Sequence, residues 1–447
     1  MVFLVLLLLA AFAQVIPRYV CQSNEYPFSG TVPLAIRSPY FNTWINATGP
    51  NTNLPNFWTG SETPCTWSGL VTIDGVTWSW LGAANDGLNV HNAIIKSSTI
   101  TPTRTIYVYE TESMDLTVTF LSPIEASDPV KQSLPFIYLS FEAKATDGNV
   151  HNVQLYSDVG ADWMAQSPYD SVRIWNSTGT NAFWKATSKQ MIPLAEISNQ
   201  AADVMLYYAT QNVPGMVQRF GSDIEGHTLF SQSGLSGLSR TATDQTAIAG
   251  NVDVFSMAFD LGNIRATNAS IVWTLGLVRD SSVSYTPTSG ETQLRYPYYV
   301  SQFAHVEDAI NKILGDFDSA AKSAIELDEK LLNQSSAISA QYMDLVSLAA
   351  RQTMGGTELT IALGSDGLWN ISDVKAFMKD VGSSGRINPV EILYASFPFF
   401  LYIDPPYAGW LLAPLLEVQE STSQWAEPYA ARDLVCPTQK LGDVSSG

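Results

Sequence analysis

From about residue 30 to about residue 300, apolar and polar positions alternate in short runs closed by turn residues. Leu70-Val71-Thr72-Ile73 ends at Asp74-Gly75. Thr105 to Tyr109, Met114 to Leu121 and Ile137 to Lys144 follow, the last stopped by Asp147-Gly148 before His151 to Tyr156. Asp-Gly between alternating runs marks a hairpin. Val204 to Tyr208, Ala258-Phe259 and Ser270 to Leu277 continue the series with no amphipathic helix between them, which predicts a large many-stranded β-sandwich.

The period then changes. From Ser301 to Leu332, Phe303, Val306, Ile310, Ile313, Leu314 and Phe317 recur at helical spacing, with Glu307, Asp308 and Lys312 on the opposite face. Further helices are predicted from Ser339 to Met354, stopped by Gly355-Gly356, from Asn388-Pro389 through Tyr402, and from Pro406 to Glu420. Thr357 to Ala362 reads as a strand, and Asp373 to Lys379 as a helical turn or two. Successive helices joined by short loops are the hairpins of an α/α toroid. Roughly four or five helices fall short of the roughly twelve that six hairpins need. The expected fold class is therefore α+β and multidomain: a large β-sandwich over 31–300, then an incomplete (α/α) six-hairpin toroid over 301–447. The aromatic segment Tyr394 to Tyr402 reads as core packing.

The first residues alter this picture only by placing the chain. Val2 to Phe12 is an apolar run too short to span a bilayer, and Ala11-Phe12-Ala13 offers a small-x-small cleavage pattern. We read residues 1–13 as a signal peptide and 14–30 as an N-terminal segment, so the expected location is extracellular. Sequons at Asn46, Asn176, Asn268, Asn333 and Asn370 are candidate glycosylation sites. Of three cysteines, Cys21 and Cys65 can pair, leaving Cys436 over. A net charge of −19 argues against nucleic acid and against an anionic membrane surface as partners.

Catalytic signatures are sparse. Gly382-Ser383-Ser384-Gly385 and Gly364-Ser365-Asp366-Gly367 miss the Gly-x-Ser-x-Gly elbow and fit turns better. The four histidines, His91, His151, His227 and His305, are too scattered to assign to a triad. No His-x-x-x-His or Cys-x-x-Cys metal spacing occurs, and neither a metal nor an organic cofactor is demanded.

Taken in order, several stretches resemble the fungal glutaminase A family. They include Pro33 to Trp44 (PLAIRSPYFNTW), Asn56-Phe57-Trp58, Gly69 to Gly75, Leu116 to Pro123, and Val153 to Asp158 followed by Asp162-Trp163. In the helical part they are Tyr342-x-Asp344-Leu345, Arg351-Gln352, Glu358-Leu359-Thr360, Asn388 to Glu391, Pro398 to Pro405 and Leu411 to Gln419. The resemblance implies a sandwich, a six-hairpin domain, and hydrolysis of L-glutamine, or a related amide, to glutamate and ammonia. Family members continue past Asp433-Leu434 into further hairpins, whereas Val435 onward matches nothing. We therefore expect a truncated gene model with a divergent tail from about 435, and an active site that lacks a part.

Among carboxylates in the matching segments, Asp433, Glu391 and Asp344 are the candidate catalytic residues, with Glu358 and Asp404 also near helix ends. Arg351 and Gln352 are the candidate substrate-binding pair. Arg351 suits a carboxylate fork or, equally, a buried ion pair with Asp344 or Glu358. Two rivals stay open: a glycoside hydrolase on the same scaffold, using two carboxylates, and a catalytically dead secreted fragment with unburied apolar helix faces.

Overall fold

The computed structural model describes residues 30–434 except 48, 58–62, 84–87, 165–170, 198–199, 242–243, 249–252, 288, 382, 421–424 and 426. The expected signal peptide, Cys21, and the tail from 435 with Cys436 lie outside the described residues. Cys65 itself is buried, and that burial pushes its thiol pKa up.

Two sheets pack face to face, one of nine antiparallel strands and one of six that is antiparallel except where Val76–Leu81 runs parallel to Val90–Asn92. Thr31–Ser38, Phe41–Asn46 and Asn56–Phe57 form a separate three-stranded sheet beside them. Met114–Leu121 shows how the sequence builds the layer: Met114, Leu116, Val118 and Phe120 are buried, while Asp115, Thr117 and Thr119 are half-exposed. Aromatic rings interlock between the sheets. Trp67 meets Phe120 edge-on at 5.2 Å and Phe259 meets Trp273 at 5.5 Å, distances at which ring quadrupoles attract. Phe136–Ala145 carries a continuous buried run instead of alternation. Its second face is covered by helices Val306–Gly315 and Phe317–Ser336, whose Ile310, Ile313, Leu314 and Ala320 pack on Leu121, Tyr138 and Tyr207. The predicted helix from Ser301 to Leu332 is thus two helices, broken at Asp316 (φ −98°, ψ 5°).

The helix Ala340–Gly355 is capped by the Ser339 side chain, which accepts from Tyr342 N at 3.1 Å. At its other end Gly355 lies hard against the sandwich. A Cβ there would stand 2.2 Å from Ile36 Cγ2, so only glycine permits this approach. Helices Val390–Ile403 and Pro405–Glu420 form a second hairpin. Leu393 and Phe400 are buried, but Tyr394 is 81% exposed and Leu401 57% exposed, so only part of the aromatic segment is core. No helix among the described residues is long and apolar enough to cross a membrane.

Two elements depart from the pattern reading. Lys375–Met378 is a strand, not a helical turn, paired antiparallel with Thr357–Thr360. All four of its residues are buried, and the ladder supplied by its neighbour overrides the ambiguous four-residue pattern. It completes a four-stranded sheet with Val283–Tyr285, Gln293–Pro297 and Thr357–Ala362, linking sandwich to helices. Within the β region, Asp223–Ser233 forms a helix that the strand series hides.

The two Asp-Gly turns do more than reverse the chain. Asp74 and Asp147 both grip His151, at 2.6 Å from Nδ1 and 3.0 Å from Nε2. Hydrogen bonds to these carboxylates raise the His151 pKa, and the Asp74 and Asp147 carboxyls are held below their ordinary values. The stability a raised histidine contributes is present below its unfolded value, about 6.5, and is lost as pH climbs through the folded one. The aspartates' share is present above about 3.9 and lost on acidification. His151→Ala is therefore expected to lower the Tm more at pH 5.5 than at pH 9. Equal losses at both pH values would contradict this linkage.

Candidate active site

A cavity of about 330 Å³ opens where the sandwich meets the helices. Asn42 and Trp44 of strand Phe41–Asn46 form one wall. Gln352 and Thr353, in the last turn of the Ala340–Gly355 helix, form another, and Ile392, Ala395 and Ser396 a third. Met378, Lys379 and Asp380, where strand Lys375–Met378 ends, line the remainder. Asn388 fixes this strand end: at φ 45°, a conformation asparagine tolerates, its Oδ1 accepts from Met378 N at 2.6 Å. Asp380 accepts from Ser384 N at 3.0 Å and from Ser384 Oγ at 2.5 Å through one oxygen, Oδ2. It is the single carboxylate lining this cavity among the described residues.

Lys379 is held from the sandwich side. Its Nζ is ion-paired with Glu196, lies 3.3 Å from Tyr40 Oη and stands 4.9 Å from the Tyr40 ring centroid. Arg279 stands 4.9 Å from the same ring and is bonded to Asp203 at 2.8 Å. Glu358 comes within 3.7 Å of Arg279, while its Oε2 is buried without a hydrogen-bond partner among the described residues. Burial raises the Glu358 pKa, which Arg279 partly offsets.

Of the residues singled out in the sequence, Gln352 alone lines the cavity. Asp433 and Glu391 are brought together, but by Arg386 and outside the cavity. Arg386 Nη1 donates to Asp433 at 3.1 Å, Nη2 pairs with Glu391, and Nε donates to Ser384 Oγ at 3.0 Å. Arg386 depresses the Glu391 pKa. Asp344 sits half-buried near the start of its helix, its pKa raised by burial, two turns from Gln352.

Arg351 points the other way from Gln352, as successive helical residues do. It is 1% exposed, reaching Thr105 Oγ1 at 3.4 Å and Ser122 Oγ at 3.5 Å. Among the described residues its Nε finds no hydrogen-bond partner, and neither Asp344 nor Glu358 pairs with it. Burial drives its pKa down to about 9. Such a charge costs stability at any pH below that value. Arg351→Met is expected to leave the protein at least as stable at pH 7 and up to about 3 kcal/mol more stable by denaturant unfolding, as when buried charges give way to apolar side chains. A clear loss would mean that Arg351 is stabilising where it stands. Sequence reasoning missed Lys379, Asp380, Asn42 and Glu196. The first two adjoin the misread strand, and Asn42 stood in a matching stretch with no chemistry attached to it.

A β-sandwich joined to helical hairpins, with a cleft at the junction, makes this a two-part sandwich-and-hairpin protein, and comparison with known proteins places the helical part. Residues 103–334 match a domain of unknown function (DUF5127), and residues 339–437 match the glutaminase A six helical-hairpin domain. The chain belongs to the glutaminase A family. It is 29% identical over 415 residues to Glutaminase A of Aspergillus oryzae, an alignment covering 90% of this chain and 58% of that protein. It is 27% identical over 437 residues to a probable glutaminase of Arthroderma benhamiae, covering 90% and 48%. The chain thus spans about half the length of the curated relatives it matches.

Proposed function

We propose that this chain performs glutaminase-like hydrolysis in the cleft between sandwich and helices, with the side-chain amide of L-glutamine as substrate. The observation that carries the reading is the cleft's lining: Asp380 and the amide-bearing Asn42 and Gln352 border a volume that accommodates a small amino acid. Family membership and the names of the two relatives support it. In the reaction we envisage, Asp380 takes a proton from water as its oxygen bonds to the amide carbon, and the carbonyl electron pair moves to oxygen. When that pair returns, the C–N bond breaks and Asp380 hands its proton to the departing nitrogen. Glutamine and water become glutamate and ammonium. Gln352 would orient the amino-acid head group. Asp433 and Glu391, tied through Arg386 and Ser384 to Asp380, would brace the rim.

A paired-carboxylate glycosidase is less well served, since among the described residues Asp380 has no second carboxylate beside it in the cleft. We also propose an extracellular location, from the apolar leader. Asn46, Asn268, Asn333 and Asn370 are exposed and open to glycan, while Asn176 is half-buried with its amide donating to Thr241 O. The deciding experiment incubates the purified chain with L-glutamine and measures ammonia and glutamate. One-to-one release is expected. No release above the uncatalysed rate would remove the reading.

A further inference from the structure

Asn42 is 4% exposed, yet its side chain is only half engaged. Its Oδ1 accepts from Trp44 Nε1 at 2.6 Å. An indole nitrogen can only donate, so this bond fixes which end of the amide is which: the oxygen faces Trp44 and the NH₂ faces away. That Nδ2 makes no hydrogen bond among the described residues. It lies 3.4 Å from where a Cβ on residue 355 would stand, so glycine there leaves room beside it. Asn42 and Trp44 both line the cleft. An amide donor with no protein partner, on a residue that lines a cleft, is the provision such sites make for a carbonyl oxygen that gains charge.

We infer that Asn42 is a catalytic hydrogen-bond donor, contributed by the three-stranded sheet beside the β-sandwich, whose Nδ2 holds the substrate's amide carbonyl oxygen, and that Trp44 positions it. This rests on the glutaminase-like reading above. As water adds to the carbonyl carbon, the oxygen becomes an oxyanion, and the fixed N–H strengthens its hold. The β region is then part of the active site, not a passive neighbour, and the stretch Pro33 to Trp44 carries chemistry.

Three variants of the full chain test this by ammonia release from L-glutamine, with thermal melting alongside. Asn42→Asp keeps the bond from Trp44 but turns the donor into an anion, and Asn42→Ala removes it. Each is expected to lower kcat/KM about 100-fold or more at a temperature well below its own Tm, which the stranded Trp44 N–H or the buried charge will lower. Trp44→Phe keeps a ring but frees the amide to rotate. It should lower kcat about tenfold while KM stays within about twofold, a split that loss of packing alone would not produce. If wild type is active and both Asn42 variants stay within about threefold of it, this inference falls and the glutaminase-like reading stands. If wild type releases no ammonia, the reading falls and takes the inference with it.

Discussion

Asp328→Ala is expected to destabilise the chain by about 3–5 kcal/mol, a large fraction of what holds a typical domain folded. Asp328 is 2% exposed on the Phe317–Ser336 helix and accepts four bonds from the 101–104 turn of the sandwich. Thr101 Oγ1 donates at 2.7 Å, Thr103 N and Oγ1 at 2.9 Å each, and Arg104 Nε at 2.8 Å. Truncation leaves the Thr103 N–H unpaired, leaves the two hydroxyls only their longer contacts to Arg104 O (3.2 Å) and Ala324 O (3.5 Å), and strands the Arg104 cation. It also removes the one carboxylate whose charge favours the protonated form of buried Arg351. The Arg351→Met change should therefore recover part of the loss, because the two sites share one field. Urea unfolding of the two single variants and the double variant measures this. A loss below about 1 kcal/mol for Asp328→Ala, or strict additivity with Arg351→Met, would contradict the picture.

That staple shows where reading from sequence stops. The strands around it were legible because one buried face imposes period two, as along Met114–Leu121. The helices were legible because an apolar stripe recurs at Ile310, Ile313 and Leu314. Asp328 carries no such signal: it interrupts the buried face formed with Ala320, Ala324 and Leu331, and its partners lie more than 220 positions away. Lys375–Met378 failed for a related reason. Four buried residues satisfy either period, and only the partner strand decides.

The site divides along the same line. Gln352 lines the cleft, and the sequence singles it out because its stretch resembles a family and sits at a helix end. Asp433 and Glu391 come together outside the cleft, and the Arg386 that joins them lies in a turn with no pattern of its own. Arg351 stood beside Gln352 in sequence, and helical geometry parted them. Lys379 depends on Glu196 and Tyr40, which sequence separation hides. Long-range electrostatics, not local propensity, builds this cleft.

Asp380→Asn is expected to cost about 10²–10⁴ in kcat, the range that a positioned general base supplies. The change is isosteric, and an asparagine oxygen can still accept from Ser384, whose N–H and hydroxyl now fix the carboxylate. The turn and the neighbouring Arg386 should hold, so the Tm and the KM for L-glutamine should move little. Loss of kcat at constant KM identifies an interaction needed for the chemical step rather than for holding substrate. A fall in Tm with kcat unchanged would make Asp380 a brace for the Ser384–Arg386 turn. The base would then have to come from outside the cleft lining, with Asp433 and Glu391 the next residues to replace. Paired with the Asn42 variants, the result separates proton removal from water, on the helical side, from holding of the carbonyl oxygen on the sandwich side. Comparable losses from both would place the chemistry on the seam between the two halves of the molecule.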